Sequence, residues 1–364
     1  MENTNEGAQN ETKVMEFILL GFPGSHYLKI FIFTIFLIMY TLTVLGNVAI
    51  IMIVTANQRL HTPMYFFLSN LSFLEIWYTT ACVPKTLVTI LGWNRTISFI
   101  GCIMQMYFVF ALGCTEYFLL SVMAYDRYLA ICYPLQYTTI MNFHFSSMLA
   151  ASSWLCGFII ISIPAFLISR LTFCGPNVIN HFYCNIDSWI ILACSSTYNV
   201  EIAMFVIAIF VILGSCTITL LSYIYIISTI LRIPSAKGQQ KAFSTCSSHL
   251  AVVIIWYGST IFLFVKPSKS TYLEMTKLVN ILNTILTPFL NPFIYTLRNK
   301  EVKEAFRHSL HCYQRRSFQF QISWDKYQPL LLLEVWYTSN LTSKVANRFV
   351  QRSENYFTDK MYHL

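Results

Sequence analysis

Charge is scarce in this chain: of 364 residues, 11% are Asp, Glu, Lys or Arg, against about 25% in a soluble domain. With 56% of the residues hydrophobic, a water-exposed surface cannot be built from that composition. Residues 1–26 hold no basic n-region, apolar h-region and small-residue cleavage site in series, so no cleaved signal peptide is expected. The eight histidines are scattered. No metal-ligand cluster, nucleophile elbow or phosphate loop occurs at the spacing that catalysis needs, which argues against an enzyme. No segment repeats, which weakens a channel or secondary-transporter reading. The net charge of +8 does not point to nucleic acid, because Lys and Arg fall singly in short loops and at segment ends. The anionic inner leaflet is the expected electrostatic partner, so membrane lipid is a partner and nucleic acid is not.

What the chain does have is long apolar stretches. Seven spans can be drawn: Ile30–Val54, Met64–Leu87, Ile97–Ala130, Ser146–Ser169, Val200–Leu231, Phe243–Val265 and Leu278–Leu297. At 1.5 Å per residue such runs cross a hydrocarbon core of roughly 30 Å. The expected fold class is an all-α membrane protein, a seven-transmembrane helix bundle. Arg59, Arg127, Arg232, Lys237, Lys241, Arg298, Lys300, Lys303 and Arg307 would face the cytoplasm, and only Arg95, Arg170, Lys266 and Lys269 the outside, so the N-terminus is expected to be extracellular. Sequons at Asn10 and Asn94 fall on that outer face and are candidate glycosylation sites. A third, at Asn70, lies inside a span and is expected to be unmodified.

Residues 1–26 therefore read as an extracellular segment and 27–297 as the membrane domain. Val302, Ala305 and Phe306 recur at helical spacing between charges, so 298–311 reads as an amphipathic interfacial helix. Residues 312–364 read as a cytoplasmic tail, expected to be disordered and dispensable for signalling. Cys312 is a candidate for palmitoylation, with a free thiol the equal alternative.

Of eleven cysteines, Cys102, Cys174, Cys184 and Cys194 fall on the oxidising side, where four cysteines allow three connectivities. Cys82, Cys114, Cys132, Cys156, Cys216 and Cys246 lie within or at the ends of spans and read as small apolar fillers. Two acids sit deep in spans: Glu75, eleven residues past Met64, and Glu116, eleven residues before Arg127. Both fall roughly 16 Å from the inner boundary. Either they share a proton or a small cation, or each is separately neutral and hydrogen-bonded to groups such as Asn47, Ser72 or Asn291.

The string Met123-Ala124-Tyr125-Asp126-Arg127-Tyr128-Leu129-Ala130-Ile131-Cys132-Tyr133-Pro134 closes the third span. Pro63-Met64-Tyr65-Phe66-Phe67-Leu68-Ser69 opens the second, Lys241-Ala242-Phe243-Ser244-Thr245-Cys246-Ser247-Ser248-His249-Leu250 opens the sixth, and Asn291-Pro292-Phe293-Ile294-Tyr295 closes the seventh. Together with Gly46-Asn47 in the first, these segments resemble the odorant receptors, a branch of the rhodopsin-like G-protein-coupled receptors, over about Phe17 to Leu310. There are departures. Asn185 and Glu75 stand where relatives usually carry Asp, and the tail past His311 has no family counterpart.

The resemblance implies pairing of Cys102 with Cys184 and of Cys174 with Cys194. It implies a small-molecule odorant held by Met106, Val109, Phe110 and Gly113 on the third helix, Met204 and Ile207 on the fifth, Tyr257 and Thr260 on the sixth, and Ile281 and Thr284 on the seventh. Amine receptors of the wider superfamily carry Asp at the position of Val109, so a neutral, mostly apolar volatile is expected. The resemblance further implies a switch at Asp126, Arg127, Tyr223, Asn291, Pro292 and Tyr295, a heterotrimeric G protein of the stimulatory olfactory type raising cyclic AMP, and residence in the plasma membrane. No cofactor is implied beyond a sodium ion at Glu75 and Glu116.

Overall fold

The computed structural model describes residues 14–174, 176–264 and 269–298, together with Val302, Glu304, Ala305 and Arg307. Asn10, Cys312 and the tail lie outside the described residues, as does most of the segment read as an interfacial helix. The chain divides into two units, residues 1–303 and 304–364. In the second, Glu304, Ala305 and Arg307 are helical.

Local signals set the ends of the long helices in the first unit. Helix α1 (His26–Ala56) is capped by Ser25, whose side chain accepts from the Leu28 amide, and α2 (Pro63–Leu91) starts on a proline, whose missing N–H is no loss in a first turn. Gly92, at φ 76°, ends α2 in the left-handed conformation that lacks a Cβ clash. Helix α3 (Phe99–Cys132) is capped by Ser98 and followed by a short α4 (Pro134–Ile140); α5 (Phe143–Ser169) is capped by Asn142. A further short helix, α6 (Ile186–Leu192), lies in the loop before the fifth span.

The fifth span joins α7 (Tyr198–Ile207), a π-helical turn at Ala208–Leu213 and α8 (Gly214–Leu231). The sixth is α9 (Ala236–Phe264), and the seventh joins α10 (Lys269–Ile281), a π turn at Leu282–Leu286 and α11 (Thr287–Arg298). In that second π turn the Thr287 hydroxyl donates to the Leu282 carbonyl five residues back, at 2.9 Å. The seventh helix begins at Lys269, well before Leu278, because the helix continues past the point where apolar residues become dense.

Among the described residues, five of these spans are long and apolar enough to cross a membrane by themselves: α1, α3, α5, the fifth, and Met275–Tyr295 of the seventh. Helix α2 is diluted by Glu75, Lys85 and many Ser and Thr, and α9 opens on Lys and Gln and keeps a shorter apolar stretch, Cys246–Ile261. Helix α3 is the hub, with 67% of its apolar window buried against 28% for α1. Ile38, Leu45 and Met52 form an exposed stripe on α1, as expected of a helix facing lipid. Small residues allow close helix approach. A Cβ on Gly157 of α5 would lie 2.8 Å from the Ala111 carbonyl of α3, and one on Gly46 of α1 would lie 2.9 Å from Pro292 of α11.

In addition to the helices, the face carrying the N-terminus bears a small sheet of order β2-β1-β3, formed by β1 (Glu16–Leu19), β2 (Thr96–Ser98) and β3 (Val178–Ile179). Strand β1 runs antiparallel to β2, with Phe17 opposite Ile97, and parallel to β3, with Ile18 opposite Val178. Its alternate residues Phe17 and Leu19 are fully buried.

Candidate functional site

Disulfides Cys102–Cys184 and Cys174–Cys194 fix the loop between α5 and α7, which supplies strand β3 of the sheet. The first ties that loop to the head of α3; the second closes a hairpin in which the Cys194 amide donates to the Thr172 carbonyl at 3.0 Å. Beside them Phe17, Phe99, Phe173 and Trp189 make an aromatic box, with ring centroids 4.9 to 6.1 Å apart. His181 is fully buried in the same loop. Its Nδ1 accepts from the Tyr183 amide at 3.3 Å and its Nε2 faces the Asn280 side chain of α10 at 3.2 Å. Lys277, on the same helix, donates to Asn180 at 2.9 Å. Burial, and then the Lys277 charge, hold the His181 imidazole down to about 3, so it is neutral.

Below the box lie the residues that the sequence assigns to ligand binding. Met106 is buried in the cluster that contains Cys102, Cys184, Trp189 and Val200, and Phe110 and Met204 pack against it. Deeper, Gly113 faces the Tyr78 ring, 4.0 Å from where a Cβ would sit. Tyr78 and Tyr117 flank Trp256 at 6.2 and 5.6 Å, Tyr117 and Thr260 share a hydroxyl hydrogen bond, and Tyr257 packs on Tyr117 at 5.4 Å. Val109 and Thr284 are buried and Ile207 is half-buried. The Thr284 hydroxyl is engaged with the Asn280 carbonyl at 2.6 Å. Ile281 stands apart, packed with Phe36, Val83, Leu87 and Ile90 between α1 and α2. Tyr78, Tyr117, Trp256 and Trp189 are not among the residues expected from the sequence; there each is one more aromatic in an apolar run.

Near the midplane Glu75 accepts from the Asn291 side chain and also faces Asn47, and Glu116 lies close enough to feel the Glu75 charge. Glu116 Oε1 and Oε2, Glu75 Oε2, Asn47 Oδ1, Asn291 Oδ1 and the Tyr295 hydroxyl are buried there without a hydrogen-bond partner. That oxygen-only set fits a small hard cation, not a transition metal. Among the described residues, no three His, Cys, Asp or Glu side chains gather as a metal site.

At the opposite end of the bundle from the sheet, Asp126 and Arg127 form a pair at 3.7 Å, both buried. Tyr137 of α4 donates to Asp126 at 2.8 Å. Burial and the Asp126 charge push the Tyr137 hydroxyl up, which keeps it a donor. Tyr223, His249 and Tyr295 all lie within reach of the Arg127 charge. His249 belongs to the string that opens the sixth span, where nothing in the sequence marks it for this cluster. Asn94 is exposed and its Oδ1 accepts from the Thr96 amide and hydroxyl, both at 3.0 Å, whereas Asn70 is engaged by Trp154 and by its own helix.

The olfactory receptor family model matches residues 36–312. Human olfactory receptor 6F1 is 65% identical over 296 residues, covering 81% of this chain and 96% of the human protein. Rat olfactory receptor 287 is 63% identical over 302 residues, covering 83% of this chain and 97% of the rat protein. Squid rhodopsin, at 15% identity, superposes with a TM-score of 0.65 over 79% of this chain and 82% of its own, a likeness of fold. The family is one of receptors and not of enzymes, and the chain is a multi-pass membrane protein that belongs to the olfactory receptor family.

Proposed function

We propose that the chain is a plasma-membrane odorant receptor with its N-terminal sheet outside the cell. It binds small, mostly apolar, neutral molecules between that sheet and Trp256, and it activates a stimulatory olfactory-type G protein that raises cyclic AMP. The observation that carries this reading is the separation of two buried groups on one bundle. An aromatic, hydroxyl-dotted region lies under the loop lid, and the Asp126–Arg127 pair with Tyr223, His249 and Tyr295 lies at the far end. A molecule that favours one packing of the first group over another shifts the population of the second, by as much as its affinities for the two packings differ. Val109 gives the third helix no charge for an ammonium, so ligand orientation falls to hydroxyl and indole groups. Sodium held by Glu75, Glu116, Asn47 and Asn291 would supply positive charge that stabilises the inactive packing. The Arg127 guanidinium needs Asp126 in that packing and the partner's backbone oxygens in the other.

The test is an odorant screen in cells supplied with the stimulatory olfactory G protein, read as cyclic AMP. Ligand-dependent output that disappears without the G protein is the expected result. Ligand-driven current or uptake without it would favour a channel or transporter.

A further inference from the structure

The aromatic box holds a polar atom that the fold leaves unused. Trp189 is fully buried on α6, its ring 4.9 Å from Phe17, 5.5 Å from Phe99 and 5.4 Å from Phe173, and its indole Nε1 has no hydrogen-bond acceptor. An indole N–H can only donate, and a buried donor without an acceptor is unfavourable. The surrounding ring faces are weak acceptors, second-order beside an oxygen. The same cluster runs directly into the bundle through Met106 and Val200, with Phe110 and Met204 packed against it. Cys184, just ahead of α6, is bonded to Cys102 on the helix that carries Met106, so the indole is anchored to that stripe.

The geometry points to Trp189 as a specificity-determining residue of the ligand site, its indole N–H donating to an acceptor oxygen, as in a ketone, aldehyde, ester or ether, on an otherwise apolar ligand. This rests on the receptor reading above. The deeper hydroxyls of Tyr117 and Thr260 already bond to each other, and that of Tyr257 approaches Ser121 at 3.5 Å, whereas the indole donor is unengaged. Phe17 closes the box from the central strand β1, while Phe99 heads α3 and Phe173 adjoins the Cys174–Cys194 disulfide.

The test uses the purified full-length receptor in lipid nanodiscs and reads thermal stabilisation by medium-chain methyl ketones and by the matching alkenes in which a methylidene replaces the carbonyl oxygen. Trp189→Phe should weaken the ketones roughly tenfold and leave the alkenes within about twofold. Replacing Trp189 with benzothienylalanine, which keeps the shape and loses the N–H, should do the same and serves if the phenylalanine variant misfolds. Equal loss of both series, no change in either, or a wild-type receptor stabilised by neither would overturn the assignment. Any of these with G-protein signalling to other odorants intact sinks this inference alone; absence of signalling to every odorant sinks the receptor reading itself.

Discussion

The hydroxyl of Tyr223 on the fifth span stands 2.7 Å from Nδ1 of His249 on the sixth, with the two rings stacked at 5.9 Å. The contact joins the two helices beside Arg127, so it holds those helices together at that end. A buried hydrogen bond contributes about 1 kcal/mol, roughly fivefold in an equilibrium. His249→Phe keeps the ring and removes the bond; ligand-independent cyclic AMP should then rise roughly fivefold at matched surface expression. A basal output equal to that of the wild type would show that the contact restrains nothing.

Loss of Cys102–Cys184 should be felt on both sides of the membrane domain's lid, because that bridge alone ties the β3 loop covalently to α3. In small secreted domains a native disulfide contributes about 2 to 5 kcal/mol. Cys102→Ser and Cys184→Ser should each abolish surface delivery or ligand response, scored by surface labelling and dose-response curves. Normal delivery and unaltered potency in both variants would contradict this role.

The loop should be sensitive to acid through His181. Folded, its imidazole is held at about 3 by burial and Lys277, whereas in an unfolded loop it titrates at about 6.5. As pH falls below about 6.5 the unfolded form takes up a proton that the folded form refuses, so stability drops progressively down to the folded value. The thermal midpoint in nanodiscs should therefore fall between about pH 7.5 and pH 5, and His181→Gln should lessen that slope. An identical slope in the variant would assign the effect to other groups.

Glu116 offers two unpartnered carboxylate oxygens beside Glu75. Two buried carboxylates cannot comfortably both be ionised without a counter-charge. If sodium supplies it and favours the inactive packing, agonist potency should fall as sodium rises at fixed ionic strength, and Glu116→Gln should flatten the response. Flat curves in both proteins would remove the cation.

The helices were legible in the sequence because lipid imposes a long apolar run on each span, and the motif strings carry the register of the inner end. Strand β1 was not legible, since Glu16-Phe17-Ile18-Leu19 is too short to show a period and its partners lie far along the chain. The proposed ligand region was half legible. Met106, Phe110 and Met204 come together, while Ile281 turns toward α1 and α2, because a π turn follows it and helical spacing alone does not carry rotation across that change. Trp189, Trp256 and Tyr117 were invisible as candidate site residues, for nothing local separates a ring in a core from a ring at a ligand.

The parallel pairing of β1 with β3 also sets an order of events during synthesis. Ile18 emerges first but meets Val178 only after α1, α2, α3 and α5 have been made. At about 5 to 20 residues per second, that wait is on the order of ten seconds. Until then Phe17 and Leu19, fully buried in the finished structure, have β2 and Phe99 as partners but not the β3 side of their core.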